Sequence, residues 1–251
     1  MPVGPIAEVG VRGVANPFDR ARRIRAVLFD LDGTLYRQRP MRVRMAIELA
    51  AFIVRRPIHG RVVAKVLTEY RRAQEVLRRD AANGHPLRQA AVAADRAGVT
   101  EAIVVALVNE WMIERPLKHL DRCQMSGLAE LLSLLEARQI AIGVLSDYPA
   151  TKKLHALGIA DRFSLVLCAS DPEIGAFKPS PIGFLTAAAH WQIEPAEILY
   201  VGDRAEVDAT GARLAGMPCA IVGNSRLESN GFISVSSFER LRDVLDDHNG
   251  H

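Results

Sequence analysis

The 251-residue chain predicts a doubly wound parallel α/β sheet interrupted by an all-helical insertion. Three observations carry that expectation. Short apolar runs at 25–29, 140–145 and 198–201 end abruptly in polar residues, as strands buried on both faces do. After Asp121 such runs alternate with helical patterns, which implies right-handed crossovers and parallel pairing. Between Tyr36 and Leu120 there is no strand-like alternation, and apolar residues recur at three- and four-residue spacing.

Taken in order, residues 1–23 mix Gly, Pro and charge without a steady period and read as an irregular extension. The first strand follows at 25–29. Helical spacing fills 41–82, through Met45, Leu49, Phe52 and Ile53, then Val62, Val66 and Tyr70. Asn83-Gly84-His85-Pro86 is a break. A helix resumes over 87–96, and Thr100 is placed to cap another that runs through Trp111. Beyond Asp121, Ser126 is placed to cap a helix carrying Leu128, Leu131, Leu132 and Leu135. A strand at 140–145 leads to a helix at 149–157 closed by Gly158. Strands at 163–167, 198–201 and 219–222 are separated by helices at 181–190 and 208–215. A short strand near Ile233 and an amphipathic helix at 238–246 finish the chain. The expected organisation is therefore an extension at 1–23, a core made of 24–36 and 121–251, and a helical insertion at 37–120.

Hydrophobic residues make up 49% and charged residues 24%, an ordinary composition for a soluble globular protein. No run approaches the roughly 18 apolar residues of a membrane span. The first residues lack the basic start and apolar centre of a secretory signal. Cys123, Cys168 and Cys219 are odd in number and widely spaced, which points to buried thiols in a reducing cytoplasm. The net charge of +3 is uneven: residues 36–120 hold 16 Lys and Arg against 8 Asp and Glu, whereas 121–251 hold 11 against 17. A basic insertion facing an acidic, cation-loading core favours an anionic substrate, although solvated helix faces would give the same count. The insertion lacks interleaved aromatics and nucleic-acid motifs, and no strongly amphipathic basic helix is evident, so neither nucleic acid nor membrane is an expected partner.

Four segments carry the chemistry. Asp30-Leu31-Asp32-Gly33-Thr34-Leu35 follows the first strand. Ligands in parallel sheets bind beyond the carboxyl ends of the strands, and two carboxylates there are costly to desolvate without a cation. A metal-dependent site is the first expectation. The second segment ends its strand in Ser146-Asp147. The third is Phe177-Lys178-Pro179-Ser180-Pro181-Ile182-Gly183-Phe184, and the fourth runs Val201-Gly202-Asp203-Arg204-Ala205-Glu206-Val207-Asp208.

In this order the four segments resemble the motifs of the haloacid dehalogenase-like hydrolase superfamily. The K-P-x-P-x-x-F string resembles members such as phosphoglycolate phosphatase and β-phosphoglucomutase. The resemblance implies a Rossmann-like core, a helical cap and Mg²⁺ as cofactor. It implies that Asp30 is the nucleophile and that Asp32 is first general acid and then base, its backbone carbonyl a metal ligand. Ser146 would hold a phosphate oxygen, and Lys178 would balance the nucleophile and the phosphoryl charge. Asp203 would ligate the metal directly. Asp208 would bind through metal-held water or orient Lys178, or else cap the next helix. The metal set is thus Asp30, Asp32, Asp203 and Asp208, with oxygen donors that suit Mg²⁺. Asp147 stands where the family often has Asn, so its carboxylate is expected to turn away from phosphate and leave its N–H to the anion. Gly33 suits a tight turn, and Thr34 suits a hydrogen bond to nearby backbone.

The second acid, Asp32, argues against removal of halide from carbon, which family members perform without it. The expected activity is Mg²⁺-dependent hydrolysis of a small soluble phosphomonoester (phosphoglycolate-, sugar-phosphate- or nucleotide-like) through an aspartyl-phosphate. A phosphomutase of the same family and a non-catalytic phosphate-binding regulator stand as alternatives. Phosphonate cleavage would need a cap lysine, and Lys65 and Lys118 stand in no recognisable context. Arg37, with Arg42 and Arg44, follows the first motif closely enough to serve as a substrate contact from the cap.

Overall fold

The computed structural model describes residues 23–80, 84–223 and 231–249. The expected extension therefore lies outside the described residues apart from Arg23, as does Asn83 of the expected break. Six parallel strands form one sheet in the order β3-β2-β1-β4-β5-β6. They are β1 Ala26–Phe29, β2 Ala141–Ser146, β3 Leu165–Cys168, β4 Ile198–Gly202, β5 Cys219–Val222 and β6 Ile233–Val235. β1 lies at the centre, with Phe29 registered against Val144 of β2 and Val201 of β4.

Alternation along β1 divides the core into two layers. Val27 and Phe29 face Leu128, Leu131 and Leu132 of α6 (Leu128–Ala137) and Phe238 and Leu241 of α10 (Phe238–Asn249). Ala26 and Leu28 face the opposite layer, with Phe184 of α8 (Ile182–Trp191) and Ala212 of α9 (Thr210–Ala215). Burying each large apolar side chain contributes about 1.5–3 kcal/mol. A sheet apolar on both faces must have helices on both, and this one does.

Between β1 and α6 the described chain forms helices and turns: α1 Gln38–Arg55, α2 Pro57–Arg79, α3 Gln89–Ala97, α4 Glu101–Val108 and α5 Arg115–Leu117. They enclose a separate apolar centre that includes Val66, Ala93, Val104 and Trp111. The chain enters and leaves this cap side by side, where the Arg37 N–H donates to Cys123 O at 2.8 Å and the Met125 N–H to Leu35 O at 3.0 Å.

Three local expectations are corrected. The helix expected over 41–82 is two helices: Arg56 leaves helical geometry at φ −141°, and Pro57, which donates no N–H, opens α2. The two helices pack so closely that a Cβ on Gly60 would lie 2.6 Å from Ile53 Cα. Thr100 holds the N-cap position of α4 as expected, but its side chain makes no capping bond, and Ser126 does not cap α6, which starts after Gly127 at φ +75°. Finally, the helix expected through Trp111 is α-helical only to Val108 and widens into a π-helical stretch over Asn109–Glu114.

Candidate active site

The chain runs from β1 to β2 and β3 on one side, then returns to place β4 on the other side of β1. The strand order therefore reverses between β1 and β4, where ligands bind in open α/β sheets. Because Phe29 pairs with Val201, Asp30 and Asp203 emerge next to each other beyond the strand ends. Two glycines make this approach possible. Gly33 sits at φ +108°, and a Cβ there would lie 2.1 Å from Asp203 Oδ2. A Cβ on Gly202 would lie 2.5 Å from Asp208 Cγ.

Lys178 brings the first and fourth segments together. Its Nζ donates to Asp30 Oδ1 at 2.5 Å, to Asp208 Oδ1 at 2.8 Å and to the Tyr200 hydroxyl at 2.9 Å, which uses all three of its protons. Asp208 Oδ2 accepts from the backbone N–H of Asp203 at 3.2 Å and of Arg204 at 3.0 Å, so this acid holds both the lysine and the loop. Thr34 Oγ1 donates to Asp30 Oδ2 at 3.2 Å, not to backbone as expected. Asp30, Lys178 and Asp208 are all buried.

The electrostatics show an excess of negative charge. Burial, reinforced by the charges of Asp208 and Asp203 and opposed by Lys178, pushes the Asp30 carboxyl up to about 8. Burial, followed by Asp208, pushes Asp203 up to about 6. Burial opposes the Lys178 ammonium, yet Asp208 and Asp30 hold it well above its usual range. Carboxylate oxygens of Asp30, Asp203 and Asp208 all lie within 4.8 Å of one another. Three acids with hard oxygen donors sharing one buried ammonium fit a small divalent ion.

Asp32 stands apart from this cluster. Its two oxygens accept from Lys153 Nζ at 2.6 and 2.8 Å, and the Tyr36 hydroxyl donates to Oδ1. Burial raises this carboxyl, but Lys153 and then Tyr36 hold it below the ordinary carboxylate range. Lys153 lies on α7 (Thr151–Ala156) with its side chain 7% exposed. Sequence reasoning missed it: Lys152 and Lys153 are adjacent, and nothing in their spacing says which one turns inward.

Ser146 is buried at the end of β2, where its Oγ accepts from the Tyr148 N–H at 3.2 Å. The Asp147 carboxylate turns to the cap and to the lysine loop. It accepts from Arg78 Nη2 at 2.5 Å, from Gln74 Nε2 at 3.3 Å and from the Lys178 N–H at 3.2 Å. Beside it, the Tyr148 hydroxyl donates to Gln74 Oε1 at 2.8 Å and accepts from Gln89 Nε2 at 3.1 Å. These cap partners are a second feature that the sequence did not disclose. Of the three expected cap contacts, Arg37 and Arg44 lie outside the cavity. Arg37 is exposed at the junction of cap and core, whereas Arg42, one helical turn further on, lines the cavity.

Between cap and core lies a cavity of about 960 Å³. Asp30, Asp32, Ser146, Asp147, Lys178 and Asp203 all line it. The sequence-predicted acids, serine and lysine thus share one space, and of the expected arginines Arg42 joins them while Arg37 and Arg44 do not.

Residues 24–216 match the family model of the haloacid dehalogenase-like hydrolases. The chain is 30% identical over 241 residues to the glyceraldehyde 3-phosphate phosphatase of Methanopyrus kandleri, spanning 89% of this chain and 96% of that one. It is 28% identical over 210 residues to the phosphoglycolate phosphatase of Escherichia coli, spanning 78% and 79%. In fold it is similar to β-phosphoglucomutase from Clostridium difficile, with a TM-score of 0.62 at 19% identity over 90% of this chain and 98% of that one. With four motif segments gathered at one sheet switch point under a helical cap, the chain belongs to the haloacid dehalogenase-like hydrolases.

Proposed function

We propose that the protein is a Mg²⁺-dependent phosphomonoester hydrolase that acts through an aspartyl-phosphate on a small-molecule phosphate ester. The observation that carries this reading is the Asp30 carboxylate, held by Lys178 at 2.5 Å beside Asp203 and facing a cavity that also contains Asp32. Similarity to several phosphatases with different named substrates supports attack on phosphorus and leaves the choice of leaving group to the cap.

In the first step an Asp30 oxygen bonds to phosphorus while the bond from phosphorus to the leaving oxygen breaks. That oxygen takes a proton from Asp32. In the second step the Asp32 carboxylate removes a proton from water. The water oxygen bonds to phosphorus, and the Asp30–phosphorus bond breaks to release phosphate. The Ser146 hydroxyl donates to a phosphoryl oxygen, and Lys178 turns its Asp30-bound proton to the phosphoryl group as that carboxylate bonds to phosphorus. Asp30, Asp203 and the Asp32 carbonyl would hold Mg²⁺, which would neutralise the phosphoryl charge. Lys153 and Tyr36 favour the ionised Asp32 that the second step requires, and the first step draws on its protonated form.

The test is phosphate release from p-nitrophenyl phosphate with Mg²⁺ and with EDTA, for the wild type and Asp30→Asn. The expected result is metal-dependent turnover that falls to background in the variant while its circular dichroism is unchanged. Activity retained in Asp30→Asn overturns the nucleophile assignment.

A further inference from the structure

The cap meets the core at two places. One is the junction at Arg37 and Met125. The other is made by the last turns of α2 with the loops that follow β2 and β3. There Leu77 is buried with Ala169 and Phe177 of the core, and Tyr70 stacks on Tyr148 with ring centroids 6.2 Å apart. Gln74 and Gln89 of the cap, both buried, close on the Tyr148 hydroxyl. Gly175 at φ +57° lets the cap come this near, since a Cβ there would lie 2.8 Å from His85 Nε2.

The core residues of this second contact are chain neighbours of Ser146 and Lys178, the two groups assigned to the phosphoryl oxygens. Asp147 and Tyr148 directly follow Ser146, and Phe177 directly precedes Lys178. Asp147 ties them together. Its Oδ2 accepts from Arg78 Nη2 at 2.5 Å and from Gln74 Nε2 at 3.3 Å, while its Oδ1 accepts from the Lys178 N–H at 3.2 Å. A charge-assisted bond from a buried guanidinium fixes the plane of the carboxylate, so the other oxygen is fixed for the lysine backbone. Lys178 Nζ, which bonds Asp30, Asp208 and Tyr200 at once, tolerates little displacement of that backbone.

We propose that Arg78 is a positioning residue for the reaction: acting through Asp147, it sets the place of the Lys178 backbone, so that the lysine is aligned with Asp30 only while the cap is seated. The cap thereby acts on the phosphoryl end of the site, which every substrate shares. This inference rests on the phosphatase reading and adds the residue that couples the cap to the lysine.

The test compares Arg78→Gln, Asp147→Asn and the double variant with the wild type, on p-nitrophenyl phosphate and phosphoglycolate with Mg²⁺. Each single variant is expected to lose about 10- to 100-fold in kcat for both esters alike, with KM within about threefold. Arg78→Lys, which keeps the charge and loses the planar fork, is expected to fall between the wild type and Arg78→Gln. The double variant, which sets a neutral hydrogen bond where the ion pair stood, is expected to be at least as active as either single one. Deuterium uptake gives a reading that needs no turnover. In Arg78→Gln, residues 146–148 and 175–178 are expected to exchange faster while β4 keeps its protection. A rise in KM at unchanged kcat, or a loss confined to one ester, makes Arg78 a direct substrate contact and overturns the proposal. Losses that multiply in the double variant, or unchanged uptake at 175–178, overturn it as well and leave the phosphatase reading standing. No Mg²⁺-dependent turnover of either ester by the wild type, with uptake at 175–178 still raised in Arg78→Gln, overturns the hydrolase reading and retains the coupling of the cap to Lys178.

Discussion

The two ends of the cavity are built on opposite principles. At the core end each buried charge has a partner: Lys178 spends its three protons on Asp30, Asp208 and Tyr200, and Lys153 is bound by both oxygens of Asp32. At the cap end the lining mixes Met41, Met45 and Leu49 with Arg42, Arg71 and Asn109, and two lining residues, Trp111 and Arg78, keep a buried nitrogen without a partner among the described residues. The contrast shows a division of labour. The buried charges at the core end are pre-organised by the protein itself, whereas the cap end mixes charged, polar and apolar side chains with fewer fixed partners. Pre-organisation costs nothing at the moment of reaction.

The border between the two ends gives the largest expected change in stability. Arg78 is 7% and Asp147 13% exposed at the side chain, and their 2.5 Å contact joins cap helix α2 to the loop after β2. Arg78→Met leaves the Asp147 carboxylate buried without its cation. Breaking one partner of such a pair costs about 3–5 kcal/mol. Urea unfolding measures this, and a loss below about 1 kcal/mol would mean that the pair behaves as an exposed one.

A smaller effect separates the two acids of the first motif. Lys153→Met removes the charge that holds Asp32 down, so burial acts unopposed and the carboxyl rises. The base of the second step then needs a higher pH to be ionised. The acid limb of the kcat–pH profile, measured at saturating Mg²⁺, is expected to move up by about 1–3 units. An unmoved limb would show that Asp32 is not the group that sets it.

The smallest effect concerns the cation-free protein. Asp30, raised to about 8, and Asp203, raised to about 6, keep protons in the folded chain at pH values where the unfolded chain, with carboxyls near 3.8, has released them. Between about pH 4 and 8 the folded state binds more protons, so stability falls as pH rises. The protein in EDTA is expected to melt at a lower temperature at pH 8 than at pH 5.5, and Mg²⁺ is expected to raise the melting temperature more at pH 8. A melting temperature that rises with pH in EDTA would contradict the charge excess assigned to the cluster.

Most of the core end was readable in advance because its chemistry is local. Asp30 and Asp32 are one residue apart at the end of an apolar run, and Asp203 and Asp208 stand five residues apart just after another. The cap end was not readable, because helical periodicity tells that a face is apolar without telling what it faces. Met45 and Leu49 have the same spacing whether they pack on a neighbour or line a cavity. Arg37 illustrates the limit: it is closest to the catalytic loop in the chain, yet it sits outside the cavity, and Arg42 lines the wall. The split at Arg56-Pro57 was visible in principle, since proline offers no N–H to a continuing helix.

By itself the sequence determined the parallel sheet, the helical insertion and the identity of the acids and the lysine, because each rests on side-chain pattern over a few neighbouring residues. Only the tertiary structure decided that Lys153 rather than Lys152 meets Asp32, that Arg78 reaches Asp147, and that Trp111 lines the cavity with its N–H unmet. Those pairings join residues from 69 to 121 positions apart, and no local preference can encode a contact made only when two separately folded faces close on each other.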